Sequence, residues 1–142
     1  MDTWYMYNLF TYGSLMFSEV WDRVVDGNYR SRQATLRGYV RRQLRGETYP
    51  AIVPAPGESC VDGVLYCGII PEDMVRLDRF EGDYYTCSAV TVLTTAGSAL
   101  DAYTYILKEQ YRHMLSAEAW DTEVFLKEGI QRFLSDYSGF DR

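Results

Sequence analysis

The stretch "NLFTYGSLMF", residues 8–17, is an apolar and aromatic run broken by Gly13-Ser14 and resumed by Leu15, Met16 and Phe17. Aromatic and aliphatic residues at this density favour a strand, so residues 5–12 are expected to form one that ends at the Gly-Ser pair. A tight turn would account for the break. So would a loop that turns its backbone N–H groups toward an anion. The rest of the chain has to decide between them.

Working outward, Ser18 can cap a short helix, "SEVWDRVVDG", closed by Gly27. The segments "ATLRGYVRRQL" (34–44) and "YPAIVP" (49–54) read as strands, and "PAPGES" reads as a loop on composition. "VDGVLYCGI" (61–69) is another strand. Pro71 suits the first turn of a helix, with Glu72 and Asp73 at its positive end. Met74, Leu77 and Phe80 give that helix an apolar face, and Gly82 stops it. Strands over 86–94 and 100–107 flank "TTAGSA" as a hairpin. The C-terminal third is helical, with Leu126, Ile130, Phe133, Leu134 and Tyr137 in one apolar stripe closed by Gly139. About six strands and three helices in mixed order imply an α+β fold, a curled sheet or small barrel with helices outside. No repeat or linker interrupts residues 1–142, which predicts a single domain.

The bulk properties narrow the partners. A hydrophobic share of 47% and a charged share of 24% are those of a soluble globular chain. A net charge of −6 repels phosphate backbones. The basic residues Arg37, Arg41, Arg42 and Arg45 fall on both sides of a strand and read as solvated, so no nucleic-acid partner is expected. The apolar start of the chain is too short for a signal peptide or a membrane span. Cys60, Cys67 and Cys87 have no metal-binding spacing and read as reduced thiols in a cytoplasmic protein, Cys67 and Cys87 as small core residues. The 13 tyrosines need hydroxyl partners when buried, which hints at a polar pocket in the core.

Few residues offer chemistry on their own. His113 sits alone in a polar stretch and reads as exposed. Ser14, in Tyr-Gly-Ser-Leu, lacks the flanking glycines of a nucleophile elbow and fits better as a loop residue. No residue set supplies a closed metal site. "RLDRFEGDYY" (76–85) is more informative. Glu81 stands at the negative end of an apolar-faced helix, which disfavours its ionisation by about 0.3–1 kcal/mol. Phe80, Tyr84 and Tyr85 would desolvate it further if they fold over it. A glutamate raised toward neutrality can take a proton and return it. An exposed helix-end glutamate is the plainer alternative.

"FTYGSLM", "YPAIVP", "LDRFEGDYY" and "AYTYIL", in that order across residues 8–107, resemble the gamma-glutamylcyclotransferase-like family, nearest to its avirulence-induced plant and bacterial branch. The resemblance implies a small mixed β-barrel flanked by helices, with a helical C-terminal tail. It implies that Tyr12, Gly13, Ser14 and Leu15 form a loop whose amides hold the anionic end of a glutamyl group. Glu81 matches the family's catalytic acid/base and Tyr85 the tyrosine that follows it, although Tyr84 is an alternative. Tyr105 is either a pocket wall or a core tyrosine. The implied reaction cyclises a small γ-glutamyl amide or isopeptide to 5-oxoproline and frees the amine, without cofactor or metal. A non-catalytic module that binds a small carboxylate or a protein partner is the alternative on the same fold.

Overall fold

The computed structural model describes residues 6–141. The first strand, β1 (Tyr7–Thr11), lies at the seam of a closed barrel and runs antiparallel to β5 (Cys60–Ile69). Residue 5, the expected start of this strand, lies outside the described residues. Around the barrel follow β2 (Arg30–Arg37), β6 (Tyr85–Thr94) and β7 (Ala99–Leu107), and β7 closes the circuit by pairing parallel to β1 at Leu9–Tyr103. β2 lies on β5 from Arg30–Cys67 to Arg37–Cys60 without a slip. β6 and β7 form the expected hairpin, in which the Thr94 N–H donates to the Ser98 carbonyl at 2.9 Å.

The described residues make seven strands instead of six because 34–44 is not one strand. Gly38, at φ +84°, turns the backbone between β2 and β3 (Tyr39–Gln43). Here the positive φ turns the chain out of the ladder, and β3 leaves the barrel to pair with β4 (Pro50–Pro54) in a separate two-stranded sheet. This places Pro50 and the β3–β4 turn over the end of β1.

Strand alternation sorts the core. Phe10, Leu36, Val61, Leu65 and Val92 pack among strands and fill the barrel. Their neighbours of opposite parity, including Leu9, Tyr66 and Leu107, pack with α1 (Ser18–Val24), α2 (Pro71–Glu81) and the C-terminal helix. α2 keeps its sequence-derived bounds, and Met74, Leu77 and Phe80 are buried. α1 differs at both ends. Phe17 is its N-cap without a side-chain bond, Ser18 is already helical, and the helix ends at Val25. Gly27 donates its N–H to Asp73 Oδ2 instead of closing the helix.

The C-terminal helix starts as α3 (Thr122–Val124), passes through a π-helical turn (Phe125–Gly129) and ends as α4 (Ile130–Asp136). A π turn holds one more residue than an α turn. The face that carries Ile130 and Phe133 is therefore continued by Phe125, buried to 2%, and not by Leu126, which is 47% exposed. Tyr137 follows the helix in extended conformation, and Gly139 lies in a separate 3-10 turn, Ser138–Asp141. His113 is exposed in the 3-10 segment Glu109–Met114. Cys67 is half-buried, but Cys87 is exposed rather than in the core, because β6 packs chiefly on its neighbouring strands β2 and β7. Among the described residues no helix is long and apolar enough to cross a membrane.

Candidate active site

β1 delivers Tyr12, Gly13, Ser14 and Leu15, all buried, to the end of the barrel. Gly13 is not a left-handed turn residue; its φ is −128°. A Cβ at this position would stand 3.0 Å from Pro50 Cδ, tighter than ordinary contact, so glycine lets the loop lie close against β4. A 3-10 turn over Ser14–Met16 follows, in which Met16 N–H donates to Gly13 O and Phe17 N–H to Ser14 O. The amides before Met16 precede the first bond of that turn. No described residue accepts a hydrogen bond from the N–H of Gly13, Ser14 or Leu15. Three backbone donors in a buried loop form a site suited to an anion.

Facing this loop is Glu81, the last residue of α2. The residue as a whole is half-buried, yet no described donor reaches its carboxyl group. Burial, and then the charge of Asp78 one helical turn earlier, push its pKa up to about 8. The rings named from sequence do surround it. Phe80 and Tyr85 line a narrow cavity with Glu81, while Tyr84 lines the wider cleft outside. Asp78, which replaces the helix end as the second cause, is visible in sequence only as the Asp-x-x-Glu spacing that sets both carboxylates on one side of the helix.

The tyrosine hydroxyls are committed to the scaffold. Tyr12 donates to the Tyr105 carbonyl at 2.6 Å, Tyr85 to the Pro50 carbonyl at 2.8 Å, and Tyr66 to the Leu15 carbonyl at 3.2 Å. Tyr105 donates to Asp78 Oδ1 at 2.5 Å. Burial first, and nearby carboxylates after it, raise the phenol pKa values of Tyr12 and Tyr105, and Tyr85 is raised by burial, Tyr12 and Glu81. All three stay neutral at physiological pH. Tyr105 is thus both a core tyrosine and a pocket wall.

The cavity is about 30 Å³ and is lined by each of Tyr12, Gly13, Ser14, Leu15, Glu81, Tyr85 and Tyr105. It adjoins a cleft of about 400 Å³ that Glu81 also lines, together with Glu47, Tyr84, Tyr111 and Arg132. Tyr49, Phe133 and Tyr137 border both spaces. Tyr137 is fixed there by its hydroxyl, which donates to the Phe80 carbonyl at 2.7 Å and to the Glu81 carbonyl at 3.2 Å.

Residues 9–122 match the family described as gamma-glutamyl cyclotransferase, AIG2-like. The chain belongs to that family. The AIG2-like protein D of Arabidopsis thaliana is 32% identical over 131 residues, which span 91% of this chain and 85% of that protein. A solution structure of another Arabidopsis thaliana protein, 26% identical, superimposes with a TM-score of 0.70 and covers 92% of this chain and 87% of its own. A structure named gamma-glutamyl cyclotransferase, 19% identical, shares the fold with a TM-score of 0.62 over 76% of this chain and 75% of that chain. The cyclotransferase family is enzymatic, and its substrates are γ-glutamyl compounds.

Sequence reasoning missed the residues that come from far along the chain. Tyr49, Phe133 and Tyr137 reach the mouth only through tertiary packing, and apolar periodicity marks such residues as core. Residues 46–50, in the β3–β4 turn and at the start of β4, border the site, whereas Gly57 to Cys60 line a separate groove. Arg42, read from sequence as a solvated strand residue, donates to the Ala117 carbonyl at 2.6 Å.

Proposed function

We propose that this protein is a cofactor-independent γ-glutamyl cyclotransferase in which Glu81 is the general acid/base. The observation that carries the proposal is the pairing of a desolvated carboxyl group, free of hydrogen-bond donors, with a facing loop of three free amides across one small cavity. The amides of Gly13, Ser14 and Leu15 hold the substrate's α-carboxylate. This folds the glutamyl chain so that its α-nitrogen approaches its own γ-carbonyl carbon. Well-oriented intramolecular attack of this kind lowers a barrier by up to about 7–11 kcal/mol. Glu81 takes a proton from the α-ammonium, the new C–N bond closes the five-membered ring, and the tetrahedral centre collapses. The old amide C–N bond breaks as Glu81 returns a proton to the leaving nitrogen. The products are 5-oxoproline and a free amine, which departs through the outer cleft. One carboxyl group serves both steps because its pKa lies close to working pH.

The same arrangement gives Tyr12, Tyr85 and Tyr105 the role of neutral walls that shape the pocket and keep Glu81 desolvated. Ser14 contributes its amide, and no covalent acyl-enzyme forms. The reading places the protein in the cytoplasm, with small γ-glutamyl compounds as its partners.

A second reading is favoured by the cavity's size. About 30 Å³ holds little more than a water molecule, so a glutamyl group enters only if Tyr49, Phe133 or Tyr137 moves. A module that binds a smaller carboxylate and does no chemistry needs less movement. Release of 5-oxoproline from a panel of γ-glutamyl amino acids and γ-glutamyl-ε-lysine distinguishes them. Turnover by the wild type that is lost in folded Glu81→Gln establishes the enzyme. Carboxylate binding with no turnover across the panel establishes the module.

A further inference from the structure

Arg41 belongs to β3, on the two-stranded sheet outside the barrel, yet its side chain reaches the amide loop. Its Nη1 donates to the Tyr12 carbonyl at 2.8 Å and to the Asp62 carbonyl at 3.3 Å. The guanidinium carbon lies 5.4 Å from the ring centroid of Trp120, which is buried to 4% and donates Nε1–H to the Thr48 carbonyl at 2.9 Å. The group is therefore clamped on three sides by the start of the amide loop after β1, by β5 and by the segment before the C-terminal helix. Such a guanidinium is not a solvated strand-face charge.

The Tyr12 carbonyl and the Gly13 N–H belong to one peptide unit. Its bond is trans, so the two dipole ends point in opposite directions. A cation that holds the oxygen on one side fixes the N–H toward the other, where Gly13, Ser14 and Leu15 line the cavity. A charge-assisted bond to the oxygen also polarises the unit and makes its N–H a stronger donor. Tyr66 holds the far end of the loop through the Leu15 carbonyl, so both flanking carbonyls are engaged from outside.

We infer that Arg41 is a positioning residue, which orients and polarises the Tyr12–Gly13 peptide so that the 13–15 amides select a carboxylate. This rests on the reading above, in which those amides bind the α-carboxylate. Charge matters as well as shape, because a neutral side chain at 41 could fill the space over Trp120 without pinning the peptide dipole.

The test compares wild type, Arg41→Lys and Arg41→Gln by calorimetric binding of 5-oxoproline and of its neutral carboxamide, and by the amide proton shift of Gly13 without ligand. Arg41→Gln is expected to bind 5-oxoproline about tenfold more weakly, on the scale of one charge-assisted hydrogen bond. It should leave carboxamide binding nearly unchanged and move the Gly13 proton upfield. Arg41→Lys, which keeps the charge, should recover part of both effects and guards against a glutamine variant that fails to fold. Equal loss for both ligands in a folded variant, with an unmoved Gly13 proton, would reduce Arg41 to a structural clamp and overturn the inference. If the wild type prefers neither ligand, the carboxylate-binding reading fails. The Gly13 shift then decides by itself whether Arg41 polarises the peptide.

Discussion

In the proposed reaction Glu81 couples catalysis to stability through one proton. As the base it must be ionised, so kcat/KM for cyclisation should rise with pH and level off near its pKa of about 8. Asp78→Asn removes the charge that helps to raise this value, and the limb should move to lower pH in a rate profile. Glu81→Gln should reduce the rate by about 10²–10⁴-fold. The stability effect has the opposite character. The folded-state pKa lies above the unfolded one, so the folded protein binds more protons between about pH 4.5 and 8, and stability falls as pH rises through that window. Above pH 8 the ionised carboxylate is a fixed burden of at most about 5 kcal/mol, lowered by solvent screening because the residue is only half-buried. Glu81→Gln should therefore melt higher than wild type at pH 9 and gain least at pH 5. Equal shifts in calorimetry at both values would show that the carboxyl is not desolvated. The sequence marked Glu81 and the 12–15 loop because short motifs keep site residues contiguous. Asp78 is legible only as the Asp-x-x-Glu spacing, while its bond from Tyr105 and the contacts of Arg41 join residues distant in sequence, which spacing does not reveal.

α2 is held at both ends by groups that periodicity does not predict. Asp73 reads from sequence as a first-turn carboxylate, but its side chain is fully buried. It accepts from the N–H of Asp26 and Gly27, from the Tyr29 hydroxyl at 2.6 Å and from Arg76 at 2.7 Å. Burial alone would raise its pKa, but these bonds outweigh it and hold the carboxylate below its usual range. Its contribution is complete above the unfolded pKa, near 3.9, and is lost only as pH falls through the lower folded value. Asp73→Ala leaves the α1–β2 loop without acceptors and should cost about 3 kcal/mol in urea denaturation at pH 7. The deficit against wild type should shrink in acid. A neutral effect would mean that the loop does not depend on the helix. At the other end of α2, the Tyr137 bonds to Phe80 and Glu81 tie the residue after the C-terminal helix to the proposed acid/base. Element types were legible along most of the chain because strand and helix periods differ. The Gly38 break and the π turn at 125–129 were not, since one residue with positive φ or one extra residue in a turn leaves hydropathy almost unchanged.

β1 makes the barrel and the site a single problem in packing. It pairs antiparallel with β5, closes the barrel by a parallel pairing with β7, and runs directly into the amide loop. These pairings join residues distant in sequence, so closure is non-local and is expected to slow folding. Gly63 on β5 is where the tolerance is smallest. A Cβ there would lie 2.2 Å from the Thr11 carbonyl oxygen and 2.8 Å from Phe10 Cζ, and backbone oxygen cannot turn aside as a flexible side chain would. Gly63→Ala must therefore push β1 away from β5, which strains the Thr11 Oγ1–H bond to the Val64 carbonyl at 2.7 Å and shifts Tyr12 behind it. The expected cost is on the order of 1–3 kcal/mol, as for an overpacked core, and 5-oxoproline binding should weaken because the 13–15 amides move with the strand. Gly97→Ala is the matching control. It adds a methyl group with nothing within 4 Å, at a hairpin turn with φ +84°, so it should lower stability while ligand affinity stays at the wild-type value. Urea midpoints and 5-oxoproline affinities measured on both variants decide the matter. If Gly63→Ala lost stability but bound 5-oxoproline as wild type does, the amide loop would be built independently of the barrel that carries it.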